Sequence, residues 1–338
     1  MILIIGANSF LAVHTVDKLL GYGEEVIVTG RNNKFRDYYE KKGIQYFNLD
    51  LTNTNDFNNL PKDNIEGVIL LAALLPANAT ADLKNEENAA DYFLINTLGT
   101  INTLEYCRKN NIKRLISTVS YTDVAASLGK GKIITEDEPR NYYYTGDHAV
   151  YAFSKNAASD VMQYYNEQHG MKNVWFRLPT VYGIGPHGSL RINGELKKSG
   201  IQIFMEKASK GENITIFGDR NLTRDVAYVK DVATAFYQAM NSEAAIGLYN
   251  ITSGNPVTLE EQAKIIIKTF SKNDKEKSAL HFNTEKKNSG PSYEFSIEKA
   301  KKDFGYNPKF FSFELMIEDL KKDMDNGKYQ NLFNYVKL

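Results

Sequence analysis

The chain has 338 residues, in which 41 basic side chains balance 41 acidic ones, and it is long enough for one elaborated domain or two cooperating lobes. Zero net charge excludes an overall positive field for nucleic acid or an anionic membrane surface, so any anion must be held locally. The single Cys107 excludes a disulfide framework and any CxxC pair, which points to a reducing, cytoplasmic setting.

The opening run Met1 to Ile5 is too short for a signal-peptide core and leads straight into a glycine turn. No apolar stretch is long enough to span a bilayer, so no membrane partner is expected. The five histidines, His14, His148, His169, His187 and His281, are scattered without ligand spacing, and no metal site is predicted.

Residues 2 to 5 form an aliphatic run ended by Gly6, and Phe10, Val13, Val16, Leu19 and Leu20 follow at helical spacing. That is a buried strand, a turn and a helix. The alternation continues with strands at Val26 to Thr29, near Gln45 to Asn48 and at Gly67 to Leu71. A long helix near Ala89 to Asn110, a strand at Arg114 to Val119, a helix near Val150 to His169 and a strand at Val174 to Arg177 complete it. The pattern predicts a Rossmann-type α/β fold, a doubly wound parallel sheet whose ligands sit at the carboxyl ends of the strands. After Gly183 the rhythm breaks into short segments, and the polar stretch Lys272 to Pro291 suggests a smaller α/β substrate-binding lobe. The expected division is a dinucleotide-binding domain over 1–183 with about 224–252, and a second lobe over 184–223 and 253–338.

Gly6-Ala7-Asn8-Ser9-Phe10-Leu11-Ala12 lies between the first strand and the first helix. There, backbone N–H groups and a helix N-terminus can meet a pyrophosphate, although two of the three usual glycines are replaced by other small residues. At the end of the second strand, where a carboxylate usually accepts from the ribose 2′-hydroxyl, the chain reads Val28-Thr29-Gly30-Arg31-Asn32. Arg31 could pair with a 2′-phosphate, which favours NADP over NAD, or it could point into solvent.

Tyr151 and Lys155 stand four apart at the start of a helix, on one face. A tyrosine with pKa near ~10 needs a neighbouring cation to act as a base at neutral pH. With 21 tyrosines such a pair also arises by chance. The Ser117-Thr118-Val119-Ser120 run at the end of the fifth strand supplies context, because a hydroxyl there could hydrogen-bond a substrate oxygen and share its proton with Tyr151. Further on, Ile216-Phe217-Gly218-Asp219 precedes Arg224, an aromatic and a planar donor fork suited to a base and a phosphate.

In this order the motifs resemble the extended short-chain dehydrogenase/reductases, in particular the NAD-dependent epimerase/dehydratase family acting on sugar nucleotides. The likeness also includes Asp50-Leu51, Ala72-Ala73, Asn96, Arg177 to Gly183, Tyr249-Asn250 and Phe304-Gly305-Tyr306-Asn307-Pro308. The resemblance implies that Tyr151 is the acid/base, that Lys155 lowers its pKa and holds the nicotinamide ribose, and that Thr118 aligns with the catalytic hydroxyl, with Ser120 as second candidate. Gly6, Asn8, Ser9, Phe10 and Leu11 would cradle the pyrophosphate of NAD(P). Asp50 and Leu51 would flank the adenine, Ala72, Ala73 and Asn96 would line the cofactor, and Pro179 and Thr180 would lie between nicotinamide and sugar. Phe217 would pack on the substrate base and Arg224 would hold its phosphate.

Thr180 stands where many members carry Asn, and Lys286-Lys287-Asn288-Ser289-Gly290 replaces a late diphosphate-binding segment. Val119 and Ser120 follow Thr118 in place of the Asp-Glu a dehydratase needs, which argues against elimination of water. The leading expectation is a sugar-nucleotide epimerase acting at C4 through a keto intermediate. A keto-sugar reductase using NADPH and a non-catalytic dinucleotide sensor are the alternatives. The resemblance also implies a homodimer through the helices near 89–110 and 150–169.

Overall fold

The computed structural model describes residues 1–76, 89–146, 148–185, 189–192, 195–272, 277–287, 290–333 and 335. The first half alternates as β1 (Ile2–Ile5), α1 (Phe10–Gly21), β2 (Val26–Gly30), α2 (Arg36–Glu40), β3 (Tyr46–Asn48) and β4 (Gly67–Leu70). It continues through α3 (Ala89–Tyr92), α4 (Gly99–Lys109), β5 (Leu115–Ser120), β6 (Ile133–Ile134), α5 (Ala149–His169), β7 (Val174–Leu178) and β8 (Val181–Tyr182). Seven strands form one parallel sheet in the order β14-β7-β5-β4-β1-β2-β3, with β14 (Gly247–Asn250) at one edge.

Strand alternation divides the core between the two faces. Ile2 and Ile4 pack with Val13, Val16 and Phe236 on one side, while Leu3 and Ile5 pack with Leu104, Cys107 and Met162 on the other. A sheet buried on both faces needs apolar residues at every position, and β1 is buried throughout.

The long helix expected near 89–110 is interrupted. Between α3 and α4, Phe93–Leu98 form a π-helical stretch. Here buried Asn96 turns inward, its Oδ1 accepting from Leu74 N at 2.8 Å and its Nδ2 donating to Leu74 O and Ser154 Oγ. A wider turn is the local deformation that serves such a tertiary demand, and sequence periodicity does not signal it.

The second half contains β9 (Ser189–Ile192), β10 (Glu195–Lys198), α6 (Gly200–Ser209), β11 (Ile214–Phe217), β12 (Thr223–Arg224), β13 (Ala227–Tyr228) and α7 (Val229–Met240) before β14. After it come β15 (Val257–Thr258), α8 (Leu259–Phe270), β16 (Leu280–Asn283), β17 (Glu294–Phe295), α9 (Glu298–Phe304) and α10 (Phe313–Asp325). Its strands pair in twos, including β11 with β16 and β12 with β15. No helix among the described residues is long and apolar enough to cross a membrane.

Candidate active site

The turn after β1 is shaped for close approach. Gly6 has φ +99°, and a Cβ there would collide with the Ala72 amide nitrogen and lie 2.7 Å from Ala72 Cα. The chain therefore passes tightly between the ends of β1 and β4. Ser9 caps α1 by accepting from Ala12 N at 3.3 Å, and the N–H groups of the first turn, at Phe10 and Leu11, begin the helix with its dipole facing the strand ends. No acidic residue occupies that first turn. This cradle fits a dinucleotide pyrophosphate.

Around it, Ala72 and Ala73 are half-buried, and Leu51 is buried against Gly99. The Asp50 carboxylate accepts from the Thr52 amide and hydroxyl; the amide bond, the hydroxyl and the Arg31 charge together hold it below the ordinary range. Arg31 is exposed. Asn96 has both amide hydrogens engaged, so it braces the wall of the cleft between Leu74 and Ser154.

Thr118 and Ser120 lie two apart on β5 and share one half-exposed face, while Ser117 and Val119 are buried. Ser120 Oγ caps the following 3-10 turn, accepting from Thr122 N at 3.2 Å and Thr122 Oγ1 at 2.9 Å. Thr118 has no such partner among the described residues, and its hydroxyl is the freer of the two. Tyr151 stands near the start of α5, its ring 6.3 Å from that of Tyr92. Burial raises its pKa well above the usual phenol value and Tyr92 adds to the rise. The His148 ring also lies 6.5 Å from that of Tyr151. Lys155 itself is buried, and desolvation pulls its ammonium down to about 8.

At the end of β7, buried Pro179 and half-buried Thr180 lead into β8. Arg224 forms an isolated bridge with Tyr293, its guanidinium 5.8 Å from that ring, and its buried Nε has no hydrogen-bond partner among the described residues. Tyr121, Tyr182 and Tyr293 all feel the Arg224 charge, which pulls against the larger upward push of burial; Tyr182 still reaches about 12. Thr180 hydrogen-bonds within the same group. A cation ringed by neutral phenols is a ready anion seat. Tyr121 and Tyr293 carry no sequence motif of their own, because the strand pairing that gathers them spans some seventy residues between Arg224 and Tyr293.

Phe217 is exposed at the end of β11, with Lys286 Nζ 4.8 Å from its ring. That contact brings the late lysine segment beside the position expected for the base. Asn288 and Ser289 of the same segment lie outside the described residues.

A glycine cradle at the first strand, hydroxyls ending β5 and a Tyr/Lys pair opening α5 define a Rossmann-type enzyme that uses a nicotinamide dinucleotide. The model of the NAD dependent epimerase/dehydratase family matches residues 2–252. The chain belongs to this family, and is an enzyme of the extended short-chain dehydrogenase/reductase type. A Methanocaldococcus jannaschii protein provisionally named a UDP-glucose 4-epimerase is 30% identical over 79% of this chain and 81% of its own length. Among solved structures, the Thermotoga maritima UDP-glucose 4-epimerase with UDP-glucose shares the fold at TM-score 0.73 and 22% identity, covering 96% of this chain and 99% of that one. The Thermus thermophilus UDP-glucose 4-epimerase in complex with NAD does so at 0.71 and 23%, covering 95% and 99%.

Proposed function

We propose that this enzyme is a nucleoside-diphosphate-hexose epimerase that inverts C4 through a 4-keto intermediate. The observation that carries the reading is Arg224, a cation with an unpartnered buried Nε set among phenols at the end of the sheet where Thr118, Ser120 and Tyr151 also lie. Relatives and structural neighbours named as UDP-glucose 4-epimerases support the same reading. When bound, an oxidised nicotinamide dinucleotide would supply the hydride acceptor for oxidation at C4 and, once reduced, the hydride donor for reduction of the keto group from its other face. Tyr151 takes the proton of the C4 hydroxyl as the carbonyl forms and gives it back afterwards. Thr118, with Ser120 as the second candidate, hydrogen-bonds that oxygen. Lys155 holds the nicotinamide ribose, Arg224 holds the substrate phosphate, and Phe217 with Lys286 meets the base. Residues 184–223 and 253–338 form the sugar-nucleotide lobe.

The cofactor reading favours NADP, since Gly30 ends β2 without a carboxylate and Arg31 beside it is exposed. That preference also favours the second reading, a keto-sugar reductase that uses the same residues in one direction. Exposed Phe93, Leu94, Leu98 and Tyr164 support a homodimer through the helical segments at 93–98 and α5. A cytosolic setting suits the free, buried Cys107 thiol.

The test is incubation with UDP-, dTDP-, GDP- and CDP-hexoses, with and without reduced cofactor, followed by NMR of the sugar protons. C4 epimers should accumulate without added reductant. Conversion of a keto-sugar only with stoichiometric NADPH would establish the reductase, and no conversion in either arm would remove both.

A further inference from the structure

The end of β2 is where a side-chain carboxylate would reach the adenosine ribose of a dinucleotide. In this chain that volume is already filled from the neighbouring strand. A Cβ on Gly30 would fall on the Tyr46 hydroxyl oxygen, far inside contact distance, and 2.9 Å from both Tyr46 Cζ and Asn8 Nδ2.

The phenol is fixed where it lies. Tyr46 Oη donates to Asn32 O at 2.5 Å and also lies 3.2 Å from Asn8 Oδ1, while Asn8 Nδ2 donates to Asn32 O and Oδ1, each at 3.0 Å. The Arg36 guanidinium lies 4.7 Å from the Tyr46 ring and donates to Tyr46 O, Asn33, Glu40 and Asn48. One knot thus ties the glycine turn through Asn8, the segment after β2 through Asn32, and β3 through Tyr46. Where a carboxylate would stand, the cleft presents a neutral hydroxyl and an amide. Arg31, which follows Gly30 directly in the chain, is exposed.

We propose that Tyr46 is the residue that fixes cofactor choice: its phenol takes the volume a carboxylate at position 30 would need and leaves a neutral corner in which a 2′-phosphate can sit beside Arg31. The proposal rests on the NADP reading, but the two fail separately. A carboxylate placed there would face the phosphate with like charge, and such a juxtaposition discriminates strongly.

The experiment is direct fluorescence titration of the full-length protein with NADPH and NADH, so that the affinity ratio is read without turnover. Gly30→Asp alone should weaken both ligands by roughly tenfold or more, because the phenol blocks the new side chain. Gly30→Asp with Tyr46→Val should restore NADH binding and shift the NADPH/NADH ratio toward NADH by roughly 100-fold. If Gly30→Asp alone binds NADH as tightly as the double variant, Tyr46 excludes nothing and the proposal is overturned. A gentler cycle guards against misfolding: Gly30→Ala should weaken both ligands in the Tyr46 background and less so beside Tyr46→Phe. Equal effects in the two backgrounds would also overturn it. A wild type that prefers NADH would defeat the NADP reading, while the difference between single and double variants would still decide the role of Tyr46.

Discussion

Arg177 Nε donates to both carboxylate oxygens of Asp123, at 3.0 and 2.9 Å, with the two side chains almost wholly buried. The same guanidinium donates through Nη1 to Thr135 O and Asn250 Oδ1. It therefore ties β7 to the turn after β5, to the end of β6 and to β14. Burial raises the Asp123 carboxyl above its usual range, and the Arg177 charge only partly opposes this. A buried pair adds little over an apolar pair, but removing one partner strands the other charge. Asp123→Ala should cost roughly 3 to 5 kcal/mol in urea unfolding. A loss below roughly 1 kcal/mol, the range of exposed pairs, would mean Arg177 finds other compensation.

Tyr151→Phe removes one hydroxyl and leaves the ring in place against Tyr92. Turnover on the true sugar nucleotide should fall about 10²-fold or more, the usual scale for a lost general acid/base. Dinucleotide affinity, measured by titration, should stay close to wild type. Unchanged turnover would take Tyr151 out of the chemistry and leave the proton to Thr118 or another group.

The architecture was legible because a sheet covered on both faces writes itself as aliphatic runs, such as Ile2 to Ile5, separated by helical spacing. The glycine turn and the Tyr151/Lys155 pair could also be read, since each occupies a few consecutive residues. What stayed hidden depends on partners distant in sequence. The π-helical stretch at Phe93–Leu98 accompanies the contacts of Asn96 with Leu74 and Ser154. The phenol over Gly30 depends on β2 pairing beside β3, and the ring beside Arg224 on its bridge to Tyr293. Helical spacing put Tyr151 and Lys155 one turn apart on α5 but could not reveal the Tyr92 ring 6.3 Å from that of Tyr151.

Arg224→Ala should weaken binding of the sugar nucleotide that the enzyme converts by roughly 2 to 4 kcal/mol, the scale of a charge-assisted contact whose partner is left unpaired. Arg224→Lys should recover only part of this, since an ammonium lacks the planar fork. Dinucleotide affinity should be unaffected by either. Calorimetry that finds wild-type affinity for that sugar nucleotide in the alanine variant would place the phosphate elsewhere.

The last prediction concerns acid stability and begins with His14 on α1. The ring is buried, donates from Nε2 to Ile184 O at 2.8 Å, and meets Phe10 and Tyr329 edge to face at 5.2 and 4.9 Å. Desolvation lowers its pKa from 6.5 to about 3, outweighing the upward pull of the Ile184 bond, while Lys328 and Lys230 lower it further. In the unfolded chain the same imidazole takes up a proton near pH 6.5, so between 6.5 and 3 the unfolded state binds more protons. The contribution is fully present above pH 6.5 and is lost as pH falls toward 3; by pH 5 about 2 kcal/mol should be gone. Asp225 and Asp231 act in the opposite sense, because burial raises each to about 6 and their protonation favours the folded state on acidification. The total slope of the wild type therefore mixes both effects, and the histidine must be isolated by difference. Urea unfolding of wild type and His14→Gln at pH 7, 6 and 5 does this. The wild type should lose about 2 kcal/mol more than the variant between pH 7 and 5. Parallel curves would mean that His14 charges as readily in the folded protein as in the unfolded chain, and that its burial against Ile184 and Tyr329 is not maintained in acid.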